Sequence, residues 1–467
     1  MFVRESILGN SSITTPGVEW KQVKDWLSRK LSFGGGSLVY LYTEECPALV
    51  EVMVSKSWQN TNNGVKSSMW FSHNWRQGQM TNIDTRMTRN QVVEGPNVVD
   101  FGAVGDGETD DSNAFQQAWK ALCQVKEGTP SLEIPQGKTF LLQPVKFSGP
   151  CASTTIIVQV LGKIVAPASR DDWKECPLDG WLSFSDVANL SIVGSGTIDG
   201  QGCVWWTNQK LHNFVKAMHF SKCDNLQLSG LTHINSPKNH ISISDCNGVS
   251  ISNPQIQAPK ESPNTDGIDI SQSTYVNITD SNIGTGDDCV AINGQSYHIT
   301  ITNVNCGPGH GISVGRLGKD GRNDTVEDVQ VQYCTFNGTQ NGARIKTWQG
   351  GLGFAKTISF EHITLIDTQN PILIDQYYCN GGHNCQNGTT AVVVSDVTYR
   401  DFHGSTIDNE AIKLECSETI GCNNIIMEDI NITSSSSNSQ TQAYCQNVHG
   451  SSHSVQPIVP CLTSLIS

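Results

Sequence analysis

A four-residue alternating phrase returns nine times along this chain: LSFS at 182, MHFS at 218, ISIS at 241, IDIS at 268, VAIN at 290, ISVG at 312, ARIK at 343, ILID at 372 and IKLE at 412. Alternation of apolar and polar residues marks a strand with one buried face. In the middle of the series the anchors Ile268, Val290 and Ile312 fall 22 residues apart. A repeat of that length is too short to bury a core alone but suits one coil of a solenoid. Secondary strands lie between the phrases, such as NLQLSGLTHI (225–234) and HITITNVNC (298–306). Three strands per turn, stacked in parallel about 4.8 Å apart, give the expected fold. It is an all-β, single-stranded, right-handed parallel β-helix.

The pattern starts only after Asn97. NVVDFGAVGDGETDDSNAFQQAWKALC reads as a strand, a Gly/Asp turn and a helix beginning near Asp110 or Asp111. Asp at the N-cap would accept orphan backbone N–H bonds and suit the helix dipole. Ala114, Phe115, Ala118, Trp119 and Leu122 form an apolar stripe, so the helix is expected to cap the open end of the solenoid. Cys223 and Cys246 follow consecutive anchors by five residues and should stack as a thiol ladder in the core. Residues 1–95 share no period with the rest and form an N-terminal extension without an assigned role. In it, 18–31 reads as a short amphipathic helix, SLVYLY as strand, and the span from Ser55 to Gln91 as loop or poorly ordered chain. Residues 97–467 form the expected β-helix domain.

A net charge of −14 offers no basic surface to neutralise phosphates, which argues against nucleic acid and anionic membranes as partners. No run approaches the roughly 20 apolar residues of a membrane span. Sixteen cysteines without a CxxC pair favour disulfides over zinc. Sequons at Asn10, Asn189, Asn277, Asn323, Asn337, Asn387 and Asn431 agree with secretion. MFVRESILGNSS holds no apolar core of signal-peptide length, so the expectation is a leader absent from this sequence. The protein is expected to be monomeric.

Chemistry concentrates at one phase of the repeat. Asp266, Asp288 and His310 each sit two positions before an anchor, and Asp287 adjoins the second. Stacked coils would gather them into a column, where like-charge repulsion should raise at least one carboxyl pKa. A proton-bearing carboxyl beside ionised ones is what glycoside hydrolysis needs. Calcium ligation and plain Gly/Asp turn chemistry are the competing explanations. Strict alternation conflicts with this picture, because it places such residues on the inward face. Gly267 and Gly311 would let the chain turn there, whereas Cys289 holds the middle position. Further on, Arg344 and Lys346 alternate with Ala343 and Ile345 and should point outward together, suited to an anionic substrate. Tyr378, just after ILID, is placed to line the same groove.

With these residues in view, the chain from about Asn97 onward resembles the polygalacturonases of glycoside hydrolase family 28, the plant branch above all. NTD (264–266), GDD (286–288), GHG (309–311) and RIK (344–346) match that family's motifs in order. The resemblance implies a pectin-lyase-like solenoid and a secreted, cofactor-free and metal-free enzyme. It would cleave α-1,4-galacturonosidic bonds of pectin or polygalacturonate with inversion. It implies Asp287 as general acid, Asp266 and Asp288 as activators of water, and His310 as partner of the acid. Arg344, Lys346, Asn264 and, less securely, Tyr378 would bind substrate. It also implies Cys289–Cys306 and Cys416–Cys422 bonds, followed by Cys379–Cys385 and Cys445–Cys461. GRLG replaces the plant proteins' usual GSLG, placing Arg316 near the cleft. Exo action, a rhamnogalacturonan-cleaving relative, a calcium-dependent lyase and a turnover-deficient wall-binding β-helix are the alternatives.

Overall fold

An apolar residue at every second position leaves each phrase with one face that water disfavours, and stacking like phrases buries that face cooperatively. The computed structural model, which describes residues 2–5, 12–14, 38–42, 50–53, 95–173, 180–206, 215–379, 388–436 and 439–464, shows this stacking directly. Leu182, Met218, Ile241, Ile268, Val290, Ile312, Ala343, Ile372 and Ile412 lie in one parallel register, coil upon coil. Each is at most 2% exposed. Fully burying a side chain of this size contributes about 1.5–3 kcal/mol. The sheet gains one strand at each end, Val145–Ser148 and Gln442–Gln446, for eleven in all. Two residues after the anchors runs a second inward column, in which Phe147, Phe184 and Phe220 stack ring on ring at 4.8 and 5.1 Å.

The remaining strands form a 20-stranded sheet that closes the coils. Early coils carry two strands there, such as Leu226–Ser229 and Thr232–Ile234. Later the two fuse, as in Thr274–Gly284 and Ser296–Cys306, so the expected three strands per turn become two. Asp280 and Asn303, at φ 52° and 56°, turn the chain inside these long strands without ending their pairing. The core thiols stack as expected: Cys223 N–H donates to Cys246 Sγ at 3.2 Å, and both are buried and unbridged.

The helix Ser112–Gln124 buries Ala114, Phe115, Ala118, Trp119 and Leu122, the five residues of its apolar stripe. Trp119 packs against Phe147 and Phe184, at 5.3 and 5.8 Å between ring centroids, over the first coils. Asp111 is the N-cap by position but not by bonding. Its carboxylate instead accepts from the backbone N–H of Val104 and Gly105, at 2.7 and 3.1 Å, fixing the preceding turn.

The chain divides into two compact units, Met1–Val93 and Glu94–Ser467. In the first, the strands Phe2–Glu5, Ser12–Thr14, Leu38–Tyr42 and Val50–Met53 pair antiparallel, the third coinciding with SLVYLY. The helix expected over 18–31 and the span from Ser55 to Gln91 lie outside the described residues. Among the described residues no helix is long and apolar enough to cross a membrane.

Candidate active site

Strand parity does not govern the acidic column, because the strands begin at the anchors themselves: Ile268–Ser271, Val290–Ile292 and Ile312–Leu317. Asp266, Asp288 and His310 therefore stand in the turn that enters each strand. The coils approach so closely there that a Cβ at Gly267 would come 2.5 Å from the Cys289 carbonyl oxygen. Gly311 sits at φ +84°, a left-handed conformation that glycine adopts without strain. Cys289 fills the middle position and uses its side chain in the disulfide to Cys306. Turn and bridge together answer the conflict that alternation raised.

One oxygen each of Asp287 and Asp288 and a ring nitrogen of His310 lie within 4.8 Å of one another. His310 Nδ1–H donates to Asp287 Oδ1 at 3.0 Å, and the backbone N–H of Asp288 donates to the same oxygen at 2.9 Å. Asn264, at φ 55°, brings its amide to 3.5 Å from Asp287 Oδ2. Asp287 is 22% exposed at its side chain and His310 33%, so this pair faces the open side of the column.

Asp288 is sealed, with its side chain 2% exposed. Its Oδ1 accepts from Arg344 Nη2 at 2.5 Å and from Ser313 Oγ–H at 2.8 Å, while Lys346 Nζ donates to Oδ2 at 2.7 Å. Both cations do project from the outward positions of Asn341–Thr347, as their alternation requires. Each spends a donor on Asp288. Their outward alternation, which suits an anionic substrate, does not reveal this second partner.

Burial pushes the Asp266 carboxyl well above the ordinary range, reinforced by Asp287, Asp269 and Asp288 and opposed in part by Lys346. Burial also drives Asp288 upward, but the charges of Arg344 and Lys346, with the Lys346 and Ser313 hydrogen bonds, hold it down at about 2. Like-charge repulsion predicts that at least one carboxyl of the column is raised; Asp266 is raised, with burial the larger cause and repulsion the smaller. A carboxyl pushed up and a carboxyl held down thus stand on adjacent coils.

Tyr378 is half-buried, with its ring 5.5 Å from Lys346 Nζ and edge-on to Trp348 at 5.7 Å. Arg316 is exposed at an irregularity of the strand, where the register shifts between Val314 and Leu317. The bridges Cys416–Cys422 and Cys445–Cys461 are formed, and Cys385 lies outside the described residues. Sequence reasoning missed Cys123–Cys151, which ties the capping helix to a loop 28 residues on. It also missed Ser313 and the half-buried cluster around Asp269. There Asn293 donates to Asp269 Oδ1 at 2.6 Å and Asn239 donates to Oδ2. The available signal was register: Asp269, Ala291, Ser313 and Arg344 occupy one outward column of the sheet.

A parallel β-helix with this divided acidic column defines a glycoside hydrolase of the solenoid class. The chain belongs to the glycosyl hydrolases family 28, whose model matches residues 123–455. It is 49% identical over 380 residues to a probable polygalacturonase of Arabidopsis thaliana, covering 80% of this chain and 82% of that protein. It is 40% identical over 377 residues to polygalacturonase-2 of Solanum lycopersicum, covering 79% and 81%. Among solved structures, the endo-xylogalacturonan hydrolase of Aspergillus tubingensis superposes with a TM-score of 0.65 at 26% identity, over 74% of this chain and 95% of that one.

Proposed function

We propose that the unit Glu94–Ser467 hydrolyses α-1,4-galacturonosidic bonds of polygalacturonate, the class of substrate that its plant relatives' names specify. One observation carries this: the enclosed Asp288, clamped by Arg344 and Lys346, and Asp266, whose carboxyl burial pushes upward, share a column with the more open Asp287, within reach of two cations suited to a uronate. Asp287, on the open side beside His310, is the proton donor to the leaving oxygen. Asp288, with Asp266, acts on the attacking water. The charges of Asp266 and Asp288 act on one another across adjacent coils, so a proton on Asp266 belongs to the pair. Both Asp288 oxygens already meet side-chain cations at 2.5–2.7 Å, which disfavours the calcium explanation.

Inversion is taken from the family likeness and not from spacing. Oxygens of Asp287 and Asp288 lie within 4.8 Å, closer than the roughly 6.5–9.5 Å usual for an acid and a water-activating carboxylate, so the product anomer is the deciding reading. Disulfides in every part of the β-helix, including Cys123–Cys151 and Cys445–Cys461, support action outside the cell. The test is hydrolysis of polygalacturonate by the purified protein, followed by proton NMR of the first-formed reducing end. An inverted anomer is expected. A retained anomer would make Asp266 or Asp288 a nucleophile, and an inert protein would remove the substrate assignment.

A further inference from the structure

Arginine and carboxylate ordinarily pair through two parallel N–H···O bonds, a fork that uses both carboxylate oxygens. Arg344 and Asp288 do not pair this way. Ser313, fully buried and in register with Arg344, accepts from Arg344 Nε at 2.9 Å and donates its own proton to Asp288 Oδ1 at 2.8 Å. Only Nη2 of the guanidinium then reaches the carboxylate, at Oδ1, and Oδ2 is left to Lys346. The Arg344 Nη1 group makes no protein hydrogen bond among the described residues.

We propose that Ser313 is a positioning residue of this active site: by interrupting the Arg344–Asp288 fork it lets one carboxylate hold two cations and sets the direction in which the Nη1 arm is presented to a uronate of the substrate. The inference deepens the hydrolase assignment and rests on it for the last clause only. The serine supplies one donor that a hydrophobic neighbour cannot, and it takes the Nε–H that would otherwise close the fork. Charged groups facing Asp288 are Arg344 and Lys346 from two coils on, His310 from the next coil, Asp266 and Asp269 from the coil before, and Asp287 beside it.

Ser313→Ala, made in the full chain, removes one oxygen from a closed site. Without the hydroxyl proton Asp288 ionises less readily, so the acid limb of the kcat/KM profile on polygalacturonate should move up by about one pH unit. Free to close the fork, the Arg344 guanidinium should turn toward Asp288 and misdirect its Nη1 arm, raising KM about 5- to 50-fold. The second readout needs no substrate. The fall in Tm relative to the parent should be present at pH 6 and fade toward pH 2, where Asp288 takes up its proton in both proteins. Ser313→Thr, which keeps the hydroxyl, should restore the profile. An acid limb that stays in place, or a Tm loss equal at all pH, would reduce Ser313 to packing and overturn the proposal. A parent protein inert toward polygalacturonate would instead overturn the substrate assignment, and the Tm series would still decide the role of Ser313.

Discussion

Among the described residues acid–histidine columns climb this β-helix at several places, and two of them differ mainly in depth. One is the column of Asp266, Asp287, Asp288 and His310 at the entry to the eleven-stranded sheet. The other lies along a corner of the larger sheet. There His362 Nδ1 meets Asp401 at 2.6 Å, His403 Nε2 meets it at 2.5 Å, and Tyr333 stacks on His362 at 4.6 Å. Both arise from the same coil spacing, and their ion pairs are equally short. At Asp288 the carboxylate is 2% exposed, whereas Asp401 is 36% exposed and its histidines 39% and 57%. Coulomb attraction that is weak through water grows several-fold where water is excluded, so the first column holds its protons and charges more firmly than the second. Stacking brings the groups together, and burial decides whether they can do chemistry.

The largest contrast should come from neutralising one aspartate in each column. Asp287→Asn keeps shape and hydrogen bonding but has no proton to donate. Turnover on polygalacturonate should fall about 10²–10⁴-fold or more while substrate is still bound. Asp401→Asn should leave kcat and KM unchanged. If both variants lost activity equally, depth would not be the distinction.

Arg344→Ala comes next. Because Arg344 bonds both Asp288 and Ser313, its loss should reach beyond substrate binding. We expect KM to rise and kcat to fall, each about 10- to 100-fold, with Lys346 left to hold Asp288 alone. Steady-state kinetics in which KM alone changes would mean that the cation serves substrate and not the carboxylate.

Asp266→Asn probes the same column through stability. The folded-state carboxyl is raised above its unfolded value, so its contribution is most favourable below about pH 3.9 and declines as pH climbs above that. Removing the charge should therefore raise Tm by a few degrees at pH 7 and by almost nothing at pH 3, while activity drops. Calorimetry across that range reads the slope, and a variant less stable at pH 7 would contradict the raised carboxyl.

Much of the fold was legible because its period is written in apolar residues. The nine anchors specify register, and register alone gathers Asp266, Asp288 and His310. The terminal strands escaped notice for a local reason: Gln442–Gln446 opens outward, with Tyr444 39% exposed, so its alternation is weak. Fusion of strand pairs into Thr274–Gly284 depends on one residue, Asp280, turning at positive φ, which composition does not reveal. The position of Asp287 was legible, but the electrostatics around it were not. Whether Arg344 faces substrate or carboxylate is decided by Ser313, whose role appears only when neighbouring coils are laid side by side. The spacing likewise showed where the carboxylates fall, and could not show which of them the fold encloses.

The smallest effect belongs to the exposed column and tests the comparison from its weak side. The Asp401 carboxyl is held below the usual range, first by the His362 hydrogen bond, against a small opposing push from burial and with help from His403. A lowered carboxyl contributes stability above its unfolded pKa of about 3.9 and loses that contribution as pH falls through the folded value. This is the reverse of the slope expected for Asp266. Exposed pairs contribute about 0–1 kcal/mol after screening, so His362→Ala should lower stability by less than about 1 kcal/mol at pH 5. Part of that loss belongs to the Tyr333 stack and should survive in 1 M salt, where the Debye length shrinks to about 3 Å and the ion pair is screened. Denaturant unfolding of the parent and of His362→Ala, at low and high salt, separates the two parts. A loss of several kcal/mol that vanished in salt would mean that an exposed His–Asp pair on this solenoid is as strong as a buried one, and the distinction by depth would fail.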